Sequence, residues 1–231
     1  MGSKFLVLDA LSFVWQYWDI FVEEFYYFEC DSPNPVIFDV GSNIGMSIVY
    51  FKKIFPSSII TGFEPEPNAC DFLKKNIASR NLPADSITIH ECAAWIHDDG
   101  VLLDRSGSDS SGVAAGSTTN QRIEVKSLQL KKIIEDVDHI DFLKMDIEGA
   151  EQLVLKDCAE SLSKVRKLFV EYHSFPGKSQ DLDEVLKILK TAGFRIQVNS
   201  PFRYRKPFIR KSLHPAPEMD LQINIFAYRK E

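Results

Sequence analysis

The stretch from Val36 to Gly45, VIFDVGSNIG, constrains the fold more than any other part of the chain. It reads as a buried strand, a glycine turn and the start of a helix. Val36, Ile37, Phe38 and Val40 supply the apolar run of a central parallel strand. Gly41 and Gly45 let a ligand come close to the backbone. Asp39, Ser42 and Asn43 put polar groups at the strand's end, where an open α/β sheet binds its ligands. The segment points to a nucleoside-containing small molecule.

Strands and helices alternate beyond it. Strands are predicted at 36–40, 59–64, 87–95, 140–146, 167–172, 194–198 and 221–228, with short ones at 101–103 and 123–125. Helices are predicted from about 44 to 55, 67 to 81, 127 to 136, from 150 onward, and over 181–191. Residues 105–120, rich in Ser and Gly, read as a loop. No helix separates the last two strands, so they pair antiparallel. The expected fold is α/β: a mostly parallel seven-stranded sheet with an antiparallel last strand and helices on both faces, the architecture of Rossmann-like class I methyltransferases.

Two domains are expected. Residues 1–35 form an N-terminal helical segment, and 36–231 form the ligand-binding domain, the break falling at Asp31-Ser32-Pro33-Asn34-Pro35. Leu8, Leu11, Trp15, Trp18, Val22 and Phe25 recur at spacings of three and four, which predicts an apolar helix face packed on the domain's flank. A pocket lid or a homodimer contact is the alternative use of this segment. Asp9, Asp19, Glu23 and Glu24 interrupt its apolar run, which excludes a membrane span there. Met1-Gly2-Ser3-Lys4-Phe5-Leu6 does not fit the myristoylation pattern.

A net charge of -6 argues against general nucleic-acid affinity. The four cysteines lie far apart without metal-binding spacing and read as free thiols of a cytoplasmic protein. The cations of 202–211 form a solvated loop, or else recruit an acidic acceptor.

Glu64 ends the second strand about 20 residues past the glycine turn, where an acid accepts hydrogen bonds from ribose hydroxyls. The turn is Gly-x-x-x-Gly, not the G-x-G-x-x-G of a diphosphate binder. Asp39 and Asn43 suit a ligand carrying a cationic amine. These features favour S-adenosyl-L-methionine, with S-adenosyl-L-homocysteine as product, over NAD. No tyrosine is followed four residues on by lysine, which argues against a short-chain dehydrogenase. An NAD-binding oxidoreductase and a non-catalytic nucleoside-binding module remain the alternatives. Ala93 and Ala94, small residues at the end of the third strand, fall beside the adenine, and Trp95 reads as a core residue.

Asp146, Glu148 and Glu151 follow the fourth strand, and Glu171 and His173 end the fifth. Asp146 is expected to face the cleft, contacting the cofactor or handling a substrate proton. Glu151 is assigned to helix capping. His173, a group that titrates near neutrality, is the candidate general base, oriented by Asp146 or Glu171. Those three residues also suit a divalent cation, but direct base catalysis is preferred and no metal is assigned.

The motifs FDVGSNIG (38–45), FEPEP (63–67), DFLKMDIEGAE (141–151) and EYH (171–173) resemble, in order and spacing, the FkbM family of S-adenosylmethionine-dependent methyltransferases. The resemblance runs from about Val36 to Tyr228. It implies O-methylation of a small-molecule hydroxyl on a natural product or sugar, and carries over Asp39, Gly41, Asn43, Gly45 and Glu64 as cofactor residues. Gln129 stands where family members commonly carry an acid, so a local change in helix capping is expected.

Overall fold

The computed structural model describes residues 4–104, 122–201 and 219–229. The 105–120 loop and the 202–211 basic segment fall outside that set.

The apolar runs become a seven-stranded sheet: β1 (Val36–Val40), β2 (Ile59–Phe63), β3 (Ile87–His90), β8 (Ile140–Met145), β9 (Val165–Ser174), β10 (Arg195–Asn199) and β11 (Leu221–Tyr228). Their order is β10-β11-β9-β8-β1-β2-β3. The pairs from β9 through β3 are parallel, and β11 lies antiparallel between β9 and β10. The antiparallel last strand is therefore inserted one place in from the sheet's edge.

Side chains alternate between the two faces, as strand geometry requires. Phe38, Leu143 and Val170 join one core with α4 (Leu130–Glu135), α5 (Glu151–Asp157) and α6 (Leu182–Thr191). Ile37, Phe142 and Phe169 join another with α2 (Met46–Ile54). Pro67 opens α3 (Pro67–Ala78), where the missing N–H costs nothing.

The expected third strand is two pieces. β3 stays in the main sheet, while β4 (Ala93–Trp95) pairs in parallel with β7 (Ser127–Gln129) in a separate ribbon. The break follows from competing partners. Glu64 N–H takes the carbonyl of His90, and Ala93 N–H turns to Lys126. The short strands β5 (Val101–Asp104) and β6 (Arg122–Val125) form an antiparallel pair. Gln129 occupies the N-cap of α4 without a capping side chain: its Nε2 donates to Asp157, and Asp98 accepts from its N–H.

The N-terminal segment packs on a face other than the expected one. It forms α1 (Ala10–Tyr17), capped by Asp9, followed by a π turn at Trp18–Val22. Leu8, Leu11, Trp15, Trp18 and Val22 are exposed. The packed ladder is Phe5, Phe13, Tyr17, Phe21 and Tyr50, in successive ring contacts. The wider π turn breaks the regular period on which the other face depends. Beyond it, Tyr26 meets Phe169, and Phe28 stacks on Phe142 at 4.7 Å, so the segment closes over the sheet.

The glycine turn shows why the first motif admits no side chain at Gly41. Its φ is +87°, and a Cβ would lie 1.8 Å from the carbonyl oxygen of Asp146. Gly177 has a similar φ of +85° but nothing within 4 Å. Gly177→Ala should therefore cost only the left-handed torsion, about 1–2 kcal/mol. Gly41→Ala should cost at least about 2 kcal/mol more, from overpacking against backbone. Urea unfolding of both variants checks this, and equal losses would remove the close approach as the reason for Gly41.

Candidate active site

The first turn is held by the strands beside it. Gly41 and Ser42 N–H both donate to the carbonyl of Phe63, and Asp146 N–H donates to Val40. The Ser42 hydroxyl is committed to the Asp39 carbonyl at 2.8 Å, so it fixes the turn. Asn43 takes a φ of +45°, which asparagine tolerates better than most residues. Its N–H donates to Glu64 Oε2 at 2.7 Å, and Glu66 N–H donates to Glu64 Oε1 at 2.8 Å. Glu64 thus stands beside the turn, as its spacing predicts. Burial outweighs those two donors and pushes its carboxyl up to about 7.

On the face of Ile37, Phe142 and Phe169, the strands turn from apolar to charged toward their carboxyl ends. Asp39, Lys144, Glu171 and His173 follow at two-residue steps, and the register places Asp146 beside Glu171. Lys144 Nζ donates to the Gly41 carbonyl at 2.6 Å and stands 3.5 Å from Asp39 Oδ1 and 3.4 Å from Asp146 Oδ2. Burial alone would lower this lysine, but Asp146 and Asp39 outweigh it and hold it charged. Asp39 Oδ2 accepts from Ser47 at 2.6 Å.

His173 is buried, not at an open rim. Its Nδ1 lies 3.0 Å from Glu151 Oε1, and its Nε2 lies 3.4 Å from Glu171 Oε1 and 3.8 Å from Glu148 Oε2. The expectation that it titrates near neutrality does not hold. Burial disfavours the imidazolium, but Glu148, Glu151 and Glu171 raise the ring well above its usual value. Burial first, then neighbouring carboxylates, pushes Glu148 up to about 8 and also raises Glu171. Glu151 does not cap α5, whose N-cap Ala150 has no side-chain bond: its Oε1 accepts from the N–H groups of Ile147 and Gly149 and faces His173 Nδ1. Glu148 holds a φ of +55°, the kind of backbone strain that collects at functional sites.

Three contributors escaped the sequence reading: Lys144, Tyr26 and Asp19. Tyr26 packs 5.0 Å from Phe169, and burial followed by Asp146 and Glu171 raises its phenol. Burial, then Glu171, pushes Asp19 up to about 6. A lysine inside two-residue alternation was the available signal for Lys144. Nothing in the spacing linked Asp19 or Tyr26 to strands so far along the chain. Ala93 and Ala94 are buried in the core. The cleft of about 690 Å³ beside β3 is lined instead by His90, Glu91, Cys92 and Ser127, among others. Trp95 is a core residue, as expected.

The methyltransferase FkbM domain matches residues 39–196, which span the turn, Glu64 and the whole acidic site. The chain belongs to the FkbM methyltransferase family. It is 27% identical over 206 residues to methyltransferase sdnD of Sordaria araneosa, covering 74% of this chain and 79% of that one. It is 27% identical to the 2-O-methyltransferase NoeI of Sinorhizobium fredii, over 62% of this chain and 65% of that one. The 31-O-demethyl-FK506 methyltransferase FkbM of Streptomyces tacrolimicus is 24% identical over 71% of this chain and 74% of its own. The crystal structure of methyltransferase FkbM from Methylobacillus flagellatus KT superposes with a TM-score of 0.55 at 20% identity. That match covers 87% of this chain and 45% of the other, so this chain spans about half the length of that solved relative. The fold is the Rossmann-like methyltransferase fold.

In this FkbM-family chain the raised Glu64 carboxyl has a consequence for stability. The folded state keeps a proton between its ordinary value of 4.5 and about 7 that the unfolded chain has released. Its contribution therefore falls as pH rises through that window and is level above it. Glu64→Gln lacks this slope. The variant should gain stability relative to wild type between pH 5 and pH 8 in urea unfolding, and a constant or opposite difference would contradict the assignment.

Proposed function

We propose that the protein is an S-adenosyl-L-methionine-dependent O-methyltransferase acting on a hydroxyl of a small molecule. The observation that carries this reading is the convergence of Asp146, Glu171 and His173, whose ligand atoms lie within 4.8 Å of one another, beside the glycine turn that packs on Asp146. In this reading the cofactor crosses the Gly41–Gly45 turn with its ribose hydroxyls donating to Glu64. Asp39 and Asn43 lie toward its amino acid portion. The sulfonium faces a buried site in which Asp39, Asp146, Glu148, Glu151 and Glu171 are set against two cations, Lys144 and His173. That excess of carboxylates favours a positively charged donor.

Methyl transfer is an in-line displacement. The acceptor oxygen forms a bond to the methyl carbon as the carbon–sulfur bond breaks, and the electron pair stays on sulfur as a thioether. The acceptor's proton passes to the Glu171 carboxylate, which the charged His173 ring beside it holds in place while Glu151 anchors that ring. Tyr26 and Asp19 border this region and narrow the acceptor's approach. The printed activities of the relatives, a 2-O-methyltransferase and a 31-O-demethyl-FK506 methyltransferase, support a hydroxyl acceptor on a sugar or natural product. No helix among the described residues is long and apolar enough to cross a membrane. Four free thiols suit the reducing cytoplasm.

Transfer of labelled methyl from S-adenosyl-L-methionine to a panel of sugars and polyketide alcohols tests the reading. Glu171→Gln should lower turnover by about 10²–10⁴-fold, the usual worth of a proton-transfer group, and His173→Gln should lower it by removing the charge that holds Glu171. Cofactor affinity in calorimetry should stay close to wild type. Unchanged turnover in either variant would remove that residue from the reaction, and a wild-type protein that binds no S-adenosyl-L-methionine would end the proposal.

A further inference from the structure

Asp146, Glu171 and His173 come from two neighbouring strand ends, and their three ligand atoms are mutually within 4.8 Å. Such spacing fits three ligands of one ion, each about 2.1–2.4 Å from it. A cluster of acids can exist for other reasons, but two separate features lie beside this one. Asn224 is 2% exposed, and its Oδ1 is buried with no hydrogen-bond partner among the described residues. It stands directly opposite Glu171 in the β9–β11 ladder, so both side chains share the face that carries the cluster. Glu148 Oε2 is equally closed off from solvent and without a hydrogen bond. Among the described residues neither oxygen accepts a hydrogen bond, although His173 Nε2 stands 3.8 Å from Glu148 Oε2.

The imidazole is also set as a ligand would be. Its Nδ1 faces Glu151 Oε1 at 3.0 Å, and Glu151 is in turn anchored by the N–H groups of Ile147 and Gly149. With Nδ1–H donating to that carboxylate, Nε2 is the nitrogen left facing Glu171. A carboxylate behind a metal-bound histidine orients the ring in this way. Glu171 is steadied from the other side by Gln222 Nε2, and Asp146 by Lys144. Each of the three ligands therefore has its own support.

We propose that Asp146, Glu171 and His173 bind one divalent cation of the Mg²⁺ or Mn²⁺ class. Two carboxylates with a single imidazole and no thiolate suit such ions better than softer metals. The Asn224 carbonyl oxygen faces the same space, as a further ligand or as the acceptor for a metal-bound water. An open position takes the hydroxyl oxygen of the methyl acceptor, which polarises that group. The hydroxyl's proton leaves to solvent, which reaches the site past the partly exposed Glu148 and Glu171. The oxygen then takes the methyl carbon, and the carbon–sulfur pair stays on sulfur. In this arrangement Glu171 is a ligand and not the proton acceptor. The ion's use in catalysis rests on the methyltransferase reading above, but its binding does not.

The test therefore reads binding without cofactor or acceptor. The full chain, stripped with EDTA and desalted, is titrated with MnCl₂ while electron paramagnetic resonance follows the free ion. One Mn²⁺ per chain is expected. Asp146→Asn and His173→Gln should weaken binding at least tenfold, and Glu151→Gln by about 10–100-fold, as for other metal-supporting carboxylates. Crystals of the wild-type protein soaked in MnCl₂ should show an anomalous peak between the three side chains, a readout that does not depend on how any variant folds. No binding at millimolar Mn²⁺, or a peak elsewhere, overturns the site. Methyl transfer that persists in chelator together with either result would leave Glu171 as the base. Failure to bind S-adenosyl-L-methionine would instead strike the methyltransferase reading and leave the ion's binding untouched.

Discussion

Lys144 Nζ ties the site together. One ammonium group, almost wholly out of solvent, meets the Gly41 carbonyl, the Asp39 carboxylate and the Asp146 carboxylate. It thereby fixes the glycine turn of β1 against the end of β8. Taking a lone charge into such a place is costly, and it is tolerated only because carboxylates come with it. The reverse also holds: Asp39 and Asp146 stay together inside the protein because a cation lies between them. The turn's shape, the direction of Asp146 and the negative field of the site all depend on this one contact. The arrangement extends one strand further, where Glu171 and His173 repeat the pairing of opposite charges.

The acidic site is built from a simple rule of strand geometry. On one face, the amino-terminal positions of β1, β8 and β9 carry Ile37, Phe142 and Phe169, which join the core. Two residues on, the same face carries Asp39, Lys144 and Glu171. The sheet is thus apolar where helices and the N-terminal segment cover it, and ionic where a ligand enters. The covering segment is not neutral to the site. Phe28 and Tyr26 anchor it on Phe142 and Phe169, and this brings Asp19 close enough to Glu171 for the two carboxylates to repel.

Several features were legible in the residue order because they are local. Four apolar residues within a five-residue stretch beside a glycine turn can hardly be anything but a central strand feeding a helix. The acid about 20 residues on, and the D-I-E-G-A-E turn, are set by the length of one strand–helix unit. Where the reading failed, a longer-range competition decided. The run from Ile87 to Trp95 has the composition of one strand, yet Ala93 finds a partner in Lys126, far along the chain. The N-terminal helix has two apolar faces, and periodicity cannot say which one the sheet takes. Phe13, Tyr17 and Phe21 were chosen because they continue onto Tyr50.

By itself, the sequence determined the alternation of strands and helices, the glycine turn and the types of residue at the strand ends. These follow from backbone sterics and from side-chain periodicity, which act over a few residues. Only the tertiary structure decided which charges meet. Strand register set Asp146 beside Glu171, inserted β11 so that Asn224 faces Glu171, and folded Glu151 back onto His173. Protonation was decided there as well, because it depends on burial and on neighbours contributed by different strands. A histidine that would titrate near neutrality in water holds its proton here because three carboxylates surround it.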